Sequence, residues 1–221
     1  MTKKLIVFDL DNTLTEGNSW ARLNVGLGMT PDEDLQLSEE YYRAQKFTEW
    51  ATKVIHIYNE RGTPTKKNIE KILATFRYTV GAEKCVREVK ELGYTIAILS
   101  GAPDLFTKLI CKDLDIHNFK FINTLVFDGN DLLVDILTEG EEKLVKLNSY
   151  KDICKSLNTD LKQAVIVGDG DNEELLFDVS SHSVTFKGSN LEDKAWKIIN
   201  TLTDLPGILR EIPEIKDPLV C

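Results

Sequence analysis

Two hydrophobic periods divide this chain. Leu5-Ile6-Val7-Phe8 is an unbroken apolar run, the pattern of a short strand buried on both faces. Beyond it, from 14 to 78, no such run recurs, and apolar positions return every three or four residues, as on helices. Pro31-Asp32-Glu33 reads as a helix start, with Pro in the first turn and acids facing the positive end of the backbone dipoles. Thr48 is expected to cap a helix carrying Trp50, Val54 and Ile57, with Gly62 past its end. Thr65 is expected to cap another, carrying Ile69, Ile72, Leu73 and Phe76.

From Gly81 the pattern becomes strand and helix in alternation. A helix over 82–92 turns Val86, Val89 and Leu92 inward and stops at Gly93. A strand over 94–99 leads to a helix over 103–114 with Asp104 in its first turn. Residues 121–127 and 132–136 read as a hairpin around Asp128-Gly129-Asn130. Leu147, Tyr150, Ile153, Cys154 and Leu157 share one helical face. A strand over 164–167, a short helix over 172–179 and a strand over 183–186 follow. Leu191, Ala195, Ile198, Ile199 and Leu202 fit a last amphipathic helix capped by Asn190. Pro206, Pro213 and Pro218 are expected to break up a surface tail.

Strands separated by helices predict an α/β protein, a doubly wound, Rossmann-like parallel sheet with helices on both faces. The helical block interrupts that pattern directly after the first strand. Residues 1–15 and 79–221 are therefore assigned to the α/β core domain, and 16–78 to a small helical cap domain inserted beside the end of that strand.

Composition narrows the function classes. A chain of 221 residues that is 42% hydrophobic suits one core plus an insertion. A net charge of −9 disfavours nucleic acid and anionic membrane surfaces as partners, because both are bound through Lys and Arg. No segment approaches the roughly 20 apolar residues of a membrane span. Cys85, Cys111, Cys154 and Cys221 form no CxxC pair. Met1-Thr2-Lys3-Lys4 leads into only four apolar residues, too few for a secretory leader. The cysteines are accordingly read as reduced thiols of a cytoplasmic protein. Nothing in the sequence sets the oligomeric state.

Chemistry concentrates at three strand ends. Asp9 and Asp11 stand two residues apart just after the first apolar run, where open α/β sheets hold their ligands. Two like charges there call for a cation or a proton. One carboxylate can attack phosphorus while the other carries a proton. Ser100-Gly101 closes the second strand before a helix, where a hydroxyl and backbone N–H groups can hold a phosphate, or the serine is a plain helix cap. Gly168-Asp169-Gly170-Asp171-Asn172-Glu173 is acidic and turn-forming, either a solvated turn or, with Asp9, a set of oxygen ligands suited to Mg²⁺. Parallel strand ends point one way, so these groups converge. His56, His117 and His182 match no part of this arrangement. Glu39-Glu40 and Glu141-Glu142 read as solvated helix faces.

These motifs resemble those of the haloacid dehalogenase superfamily, in its phosphoserine-phosphatase-like branch. Asp9-Leu10-Asp11-Asn12-Thr13 matches the first motif, Ile98-Leu99-Ser100-Gly101 the second, and Val165-Ile166-Val167-Gly168-Asp169 with its acidic followers the fourth. The third motif is a lone lysine that opens the helix leading to the fourth; Lys146 occupies that place, with Lys143 and Lys151 as less favoured candidates. The resemblance covers 4–15 and 80–187 and loosens in the inserted block.

What the resemblance implies is a Mg²⁺-dependent phosphatase acting on a small phosphorylated metabolite through an aspartyl-phosphate. Asp9 would be the nucleophile and Asp11 the general acid and base. Asp9, Asp169 and the backbone carbonyl of Asp11 would hold the metal, with Asn172 and Glu173 supporting it from behind. Ser100, Gly101 and Lys146 would bind the phosphoryl oxygens. Glu173 replaces an Asp of that branch. Phosphoserine phosphatases also place a Glu shortly after the first motif and an Arg in the cap, to grip the serine. This chain has Asn18-Ser19-Trp20 and Trp50-Ala51-Thr52-Lys53-Val54 there, so phosphoserine specificity is not carried over. Asn18, Trp20 and Arg22 are candidate substrate contacts, while Trp50 is read as packing between helices. Alternatives are a phosphomutase on the same fold, or a non-hydrolytic phospho-Asp signalling or binding protein. A dehalogenase is disfavoured, since Asp11 is superfluous for halide displacement.

Overall fold

The computed structural model describes residues 4–44, 46–138 and 140–213; Met1, Thr2, Lys3, Pro218 and Cys221, named above, lie outside them. Strand β1 (Leu5–Phe8) is followed by four helices, α1 (Ser19–Gly26), α2 (Pro31–Ala44), α3 (Phe47–Arg61) and α4 (Lys66–Leu73). Then come α5 (Ala82–Glu91), β2 (Thr95–Pro103), α6 (Asp104–Asp113), β3 (Asn118–Phe127), β4 (Leu133–Thr138), α7 (Glu142–Ser156) and β5 (Val165–Val167). The chain continues through α8 (Glu174–Val179), β6 (His182–Phe186), β7 (Lys197–Ile199) and α9 (Leu205–Leu209).

The strands lie in the order β4-β3-β2-β1-β5-β6-β7, parallel throughout except for the β3–β4 hairpin. The chain enters at the centre, winds outward through β2 and β3, and returns to β5 on the far side of β1. The switch point therefore falls at the carboxyl end of β1, where a crevice opens between diverging connections. β1 is buried on both faces, and its residues alternate between two cores. Ile6 and Phe8 pack with Ile98, Val167 and Phe106, whereas Leu5 and Val7 pack with Leu99, Ile166, Tyr150 and Phe177. Period-two alternation along one strand thus ties both helical layers to the sheet.

Most local signals hold. Thr65 accepts the N–H of Asn68 as the cap of α4, and α2 starts at Pro31 with Asp32, Glu33 and Asp34 in its first turn. Gly93, at φ +81°, ends α5 in a backbone conformation that costs glycine least. The Asp128 carboxylate accepts the N–H groups of Asn130 and Leu132, which closes the β3–β4 turn. Cys85, Cys111 and Cys154 are buried free thiols, and burial pushes Cys85 and Cys111 up to about 12.

Four expectations need correction. Thr48 does not cap α3: the helix begins at Phe47, whose ring packs on Trp50, and Lys46 precedes it with no side-chain cap bond. β2 runs on to Pro103, because Pro103 still pairs with Asn123 of β3 across a bulge; Ser100 is therefore a strand residue and not a helix cap. The last amphipathic helix is absent from the described residues. Leu191 to Leu202 instead make two short 3₁₀ turns around β7, in which Ile199 is buried while Ile198 is 47% exposed, the alternation of an edge strand. Pro206 does not break up a tail: it sits buried at the start of α9, next to Leu205, which belongs to the core cluster that also holds Val86 and Val89 of α5.

Candidate active site

Three strand ends meet at the switch point. Asp9 follows β1 directly, and its N–H donates to the Val167 carbonyl at 3.0 Å, so Asp9 stands next to the end of β5. Asp169 lies two residues beyond that strand and accepts from Thr13 Oγ1 at 3.2 Å. Thr13 belongs to a tight turn in which the N–H groups of Thr13, Leu14 and Thr15 all donate to the Leu10 carbonyl. Asn12 takes the left-handed region at φ +56°, which Asn tolerates better than most side chains. That turn sends the chain away from the sheet and leaves Asp9 and Asp11 at its rim.

Asp11 is held on one side only. Its Oδ2 accepts from Ser19 Oγ at 2.6 Å and from the Ser19 N–H at 3.0 Å, while Oδ1 is buried with no partner among the described residues. Burial pushes the carboxyl up to about 7 against the pull of the two Ser19 bonds. Asp169 is pushed up to about 6, by burial first and then by the charge of Asp9. Carboxyls shifted in this way, side by side at a sheet switch point, mark a site built for a cation and for proton transfer.

Lys146 supplies the fixed positive charge. It lies in the second turn of α7, is wholly buried, donates to Asp9 Oδ1 at 3.1 Å and also donates to Glu173 Oε1. Burial opposes its charge, but Asp9 and Glu173 prevail and hold the ammonium protonated. Burial pushes Glu173 upward, and Lys146 pulls against it. Glu173 Oε2 accepts the Gly170 N–H at 3.2 Å, which folds the acidic turn back on itself. Lys143 pairs instead with Glu174, at 2.7 Å. One oxygen each from Asp9, Asp169 and Glu173 lie within 4.8 Å of one another. Hard carboxylate oxygens at that spacing fit a hard divalent ion such as Mg²⁺.

Ser100 is buried, and its Oγ accepts the Ala102 N–H at 3.2 Å. The Gly101 carbonyl is pinned twice, by Trp20 Nε1 at 3.0 Å and by Asn123 Nδ2 at 2.6 Å. Gly101 is also where Glu142 arrives: a Cβ at this position would lie 2.1 Å from Glu142 Oε1, so no larger residue fits without displacing that carboxylate. Glu142 accepts from Asn172 Nδ2 at 2.8 Å and lines the cleft, which corrects its reading as part of a solvated face; Glu141 and Glu40 are exposed, as expected. The signal was available. Glu142 precedes Lys146 by four residues and so shares its helical stripe.

Asp9, Asp11, Asp169, Ser100, Gly101 and Glu142 line a cleft of about 410 Å³ between the sheet rim and the inserted helices, with Lys146 and Glu173 buried and outside its lining. Asn18 and Trp20 line it too, with the Asn18 Oδ1 capping α1 by accepting the Ala21 N–H at 3.0 Å. Arg22 is not among the lining residues. Its Nη2 donates to the Glu16 carbonyl at 2.7 Å and its guanidinium lies over the Phe106 ring, while Nη1 is buried with no partner among the described residues and the charge is felt at Asp11. Trp50 is buried between helices, as read, but its ring also forms part of the cleft wall beside Trp20, Tyr41 and Phe47. His182 stacks edge-on against Trp196, away from the cleft, and His56 and His117 are exposed. No helix among the described residues is long and apolar enough to cross a membrane.

Known proteins resemble this arrangement. A family model described as haloacid dehalogenase-like hydrolase matches residues 3–177. The chain is 26% identical to the phosphoserine phosphatase of Methanocaldococcus jannaschii over 210 residues, covering 95% of this chain and 98% of that one. It is 28% identical to the phosphoserine phosphatase of Archaeoglobus fulgidus over 190 residues, or 86% of this chain, and spans about half, 54%, of that longer protein. A solved structure described as the phospho-aspartyl intermediate analogue of phosphoserine phosphatase superposes with a TM-score of 0.78 at 26% identity, covering 96% of this chain and 100% of that one.

Proposed function

The chain belongs to the haloacid dehalogenase-like hydrolase family, and from that premise we propose that it is a Mg²⁺-dependent phosphatase hydrolysing a small phosphomonoester through an aspartyl-phosphate. The observation that carries this reading is the contact of buried Lys146 with Asp9, beside Asp11 and Asp169 at one sheet switch point. The helices at 16–78 act as the cap that closes over the substrate.

Asp9, Asp169 and the Asp11 carbonyl are the proposed ligands of Mg²⁺, which when bound neutralises charge on the phosphoryl oxygens. The chain's own residues do the rest. The free carboxylate oxygen of Asp9 attacks phosphorus while Lys146 holds the other oxygen in line. The bond from phosphorus to the substrate oxygen breaks, and protonated Asp11 delivers its proton to the leaving alcohol. Its pKa of about 7 suits that exchange at neutral pH. Asp11, now ionised, takes a proton from water as the water oxygen attacks phosphorus, and the bond to Asp9 breaks to release phosphate. Ser100 and the backbone at Gly101 grip the non-bridging oxygens throughout. Glu173 and Asn172 stand behind this set: Glu173 fixes Lys146, and Asn172 holds Glu142.

The test is steady release of inorganic phosphate from p-nitrophenyl phosphate with Mg²⁺, abolished by EDTA, together with a hydroxylamine-labile phosphoprotein trapped by rapid acid quench. Phosphoprotein that persists for minutes without turnover would favour a signalling switch instead. Phosphate returned to a second position of a sugar phosphate, with none released, would favour a mutase.

A pH dependence follows from the raised carboxyls. Asp11 and Asp169 titrate near 7 and 6 in the folded chain, against 3.8 ordinarily. Between those values the folded state binds more protons than the unfolded one, so stability is fully present below about pH 4 and is lost as pH rises through about 6 to 7. Between pH 5.5 and 8 the loss is on the order of 3 kcal/mol from the two groups together. Melting in EDTA should therefore occur several degrees lower at pH 8 than at pH 5.5, and millimolar Mg²⁺ should restore much of the difference at pH 8 only. Melting temperatures that rise with pH in EDTA would contradict the shifts.

A further inference from the structure

Once the residues that handle metal and phosphate are set aside, the rest of the cleft has a definite chemical character. Its remaining lining is largely aromatic and acidic: the rings and one carboxylate come from the inserted helices, and a second carboxylate, Glu142, comes from the start of α7 beside Gly101. Trp20 and Trp50 meet edge to face, with ring centroids 5.1 Å apart and planes at 88°, and so form a corner. Phe47 and Tyr41 extend it, at 5.3 and 6.1 Å from Trp50. Asp34 and Glu142 bring carboxylates to the same cleft.

Both carboxylates are held in place. Tyr58, wholly buried, donates its hydroxyl to Asn24 Oδ1, and Asn24 Nδ2 donates to Asp34 Oδ1. Glu142 is held by Asn172 Nδ2 at 2.8 Å. Lys53 is paired with Glu40 at 2.7 Å and Lys143 with Glu174, while Arg22 binds the Glu16 carbonyl through one nitrogen and does not reach the cleft lining. Among the described residues, no Lys, Arg or His lines the cleft.

A leaving group bearing a carboxylate would face Asp34 and Glu142 with no partner for its charge, a costly arrangement in a half-enclosed site. A leaving group bearing an ammonium would face two carboxylates and the ring faces of an aromatic corner, the surroundings that recognise alkylated ammonium groups. The Trp20 indole bridges the two ends of such a molecule, since its N–H is bound to the carbonyl of Gly101, on the strand end that grips phosphate.

Resting on the phosphatase reading above, the geometry points to a substrate class: phosphomonoesters of small amino alcohols, cationic at the alcohol end and free of any carboxylate there. Choline phosphate and ethanolamine phosphate are the simplest members. Neohexyl phosphate, in which carbon replaces the quaternary nitrogen of choline phosphate, has the same shape without the charge.

The experiment compares kcat/KM with Mg²⁺ for choline phosphate, ethanolamine phosphate, phosphoserine, neohexyl phosphate and p-nitrophenyl phosphate. At least one of the two amino-alcohol esters should exceed both neohexyl phosphate and phosphoserine by about 10-fold or more. Asp34→Asn and Trp50→Leu should each narrow that preference several-fold, and Trp50→Phe should retain most of it. Titration of choline alone into the wild-type protein should show binding that neohexanol does not reproduce. If phosphoserine or the uncharged isostere is turned over as well as the cationic esters, the substrate class is wrong and the phosphatase reading stands. If p-nitrophenyl phosphate and every other ester remain intact, the phosphatase reading fails and this inference falls with it.

Discussion

Replacing Asp9 by Asn is expected to lower Mg²⁺-dependent phosphate release on the order of 10⁴-fold or more, the scale of losing a covalent nucleophile. The substitution keeps the shape of the side chain and removes its charge. An amide oxygen at this position still accepts from Lys146, which lies 3.1 Å from Asp9 Oδ1, so the fold should survive. Its nucleophilicity is gone, however, and with it one of the three carboxylates that gather within 4.8 Å. Two measurements separate these effects. Thermal melting should remain cooperative, and acid-quenched protein should carry no trapped phosphate. A variant that retains more than about 1% of the wild-type rate would remove Asp9 from the role of nucleophile.

Lys146→Met is expected to have the largest effect on stability, and a large one on rate. A wholly buried ammonium between Asp9 and Glu173 compensates two carboxylates at once. Deleting one partner of such a group typically costs about 3–5 kcal/mol, because the remaining charge is left in a poorly solvated site. The cost should depend on pH. Without Lys146, burial raises Glu173 further, so the variant is most stable below the ordinary carboxyl range and weakens as pH rises through the raised value. Adding Glu173→Gln to Lys146→Met should recover much of the stability, since the uncompensated charge is then gone. It should not recover the rate, which is expected to stay about 100–1000-fold down with the phosphoryl charge unmatched. Urea denaturation of the two single variants and the double variant, at pH 5.5 and 8, reads the stability side. A double variant no more stable than Lys146→Met would mean that Glu173 is not what Lys146 compensates.

How much of this was legible in the sequence depends on how far apart the cooperating residues are. β1, β2 and β5 are apolar runs that could only be buried, and the groups at their ends followed from parallel topology. Glu142 was read as solvated because a pair of acids at a helix start is usually exposed; its spacing of four from Lys146 pointed inward, but the room it fills is left by Gly101, 41 positions away. β7 failed for a related reason. Its apolar residues happen to recur at helical spacing, but the choice was made by the unpaired edge of β6, which Lys197–Ile199 completes. The end of β2 was drawn short for the same kind of reason, since pairing with β3 keeps the backbone extended from Ser100 to Pro103. Arg22 illustrates the opposite limit: its position near the first motif suggested the cleft, yet it is absent from the lining and one of its nitrogens is bound to the Glu16 carbonyl.

The indole of Trp20, bonded to the Gly101 carbonyl and set edge-on against Trp50, has one more consequence. The chain has three tryptophans, and two of them face the cleft while Trp196 stacks on His182 elsewhere. Ultraviolet emission from this protein is thus weighted toward the reaction chamber, and anything that enters it should announce itself optically, without a label and without waiting for turnover.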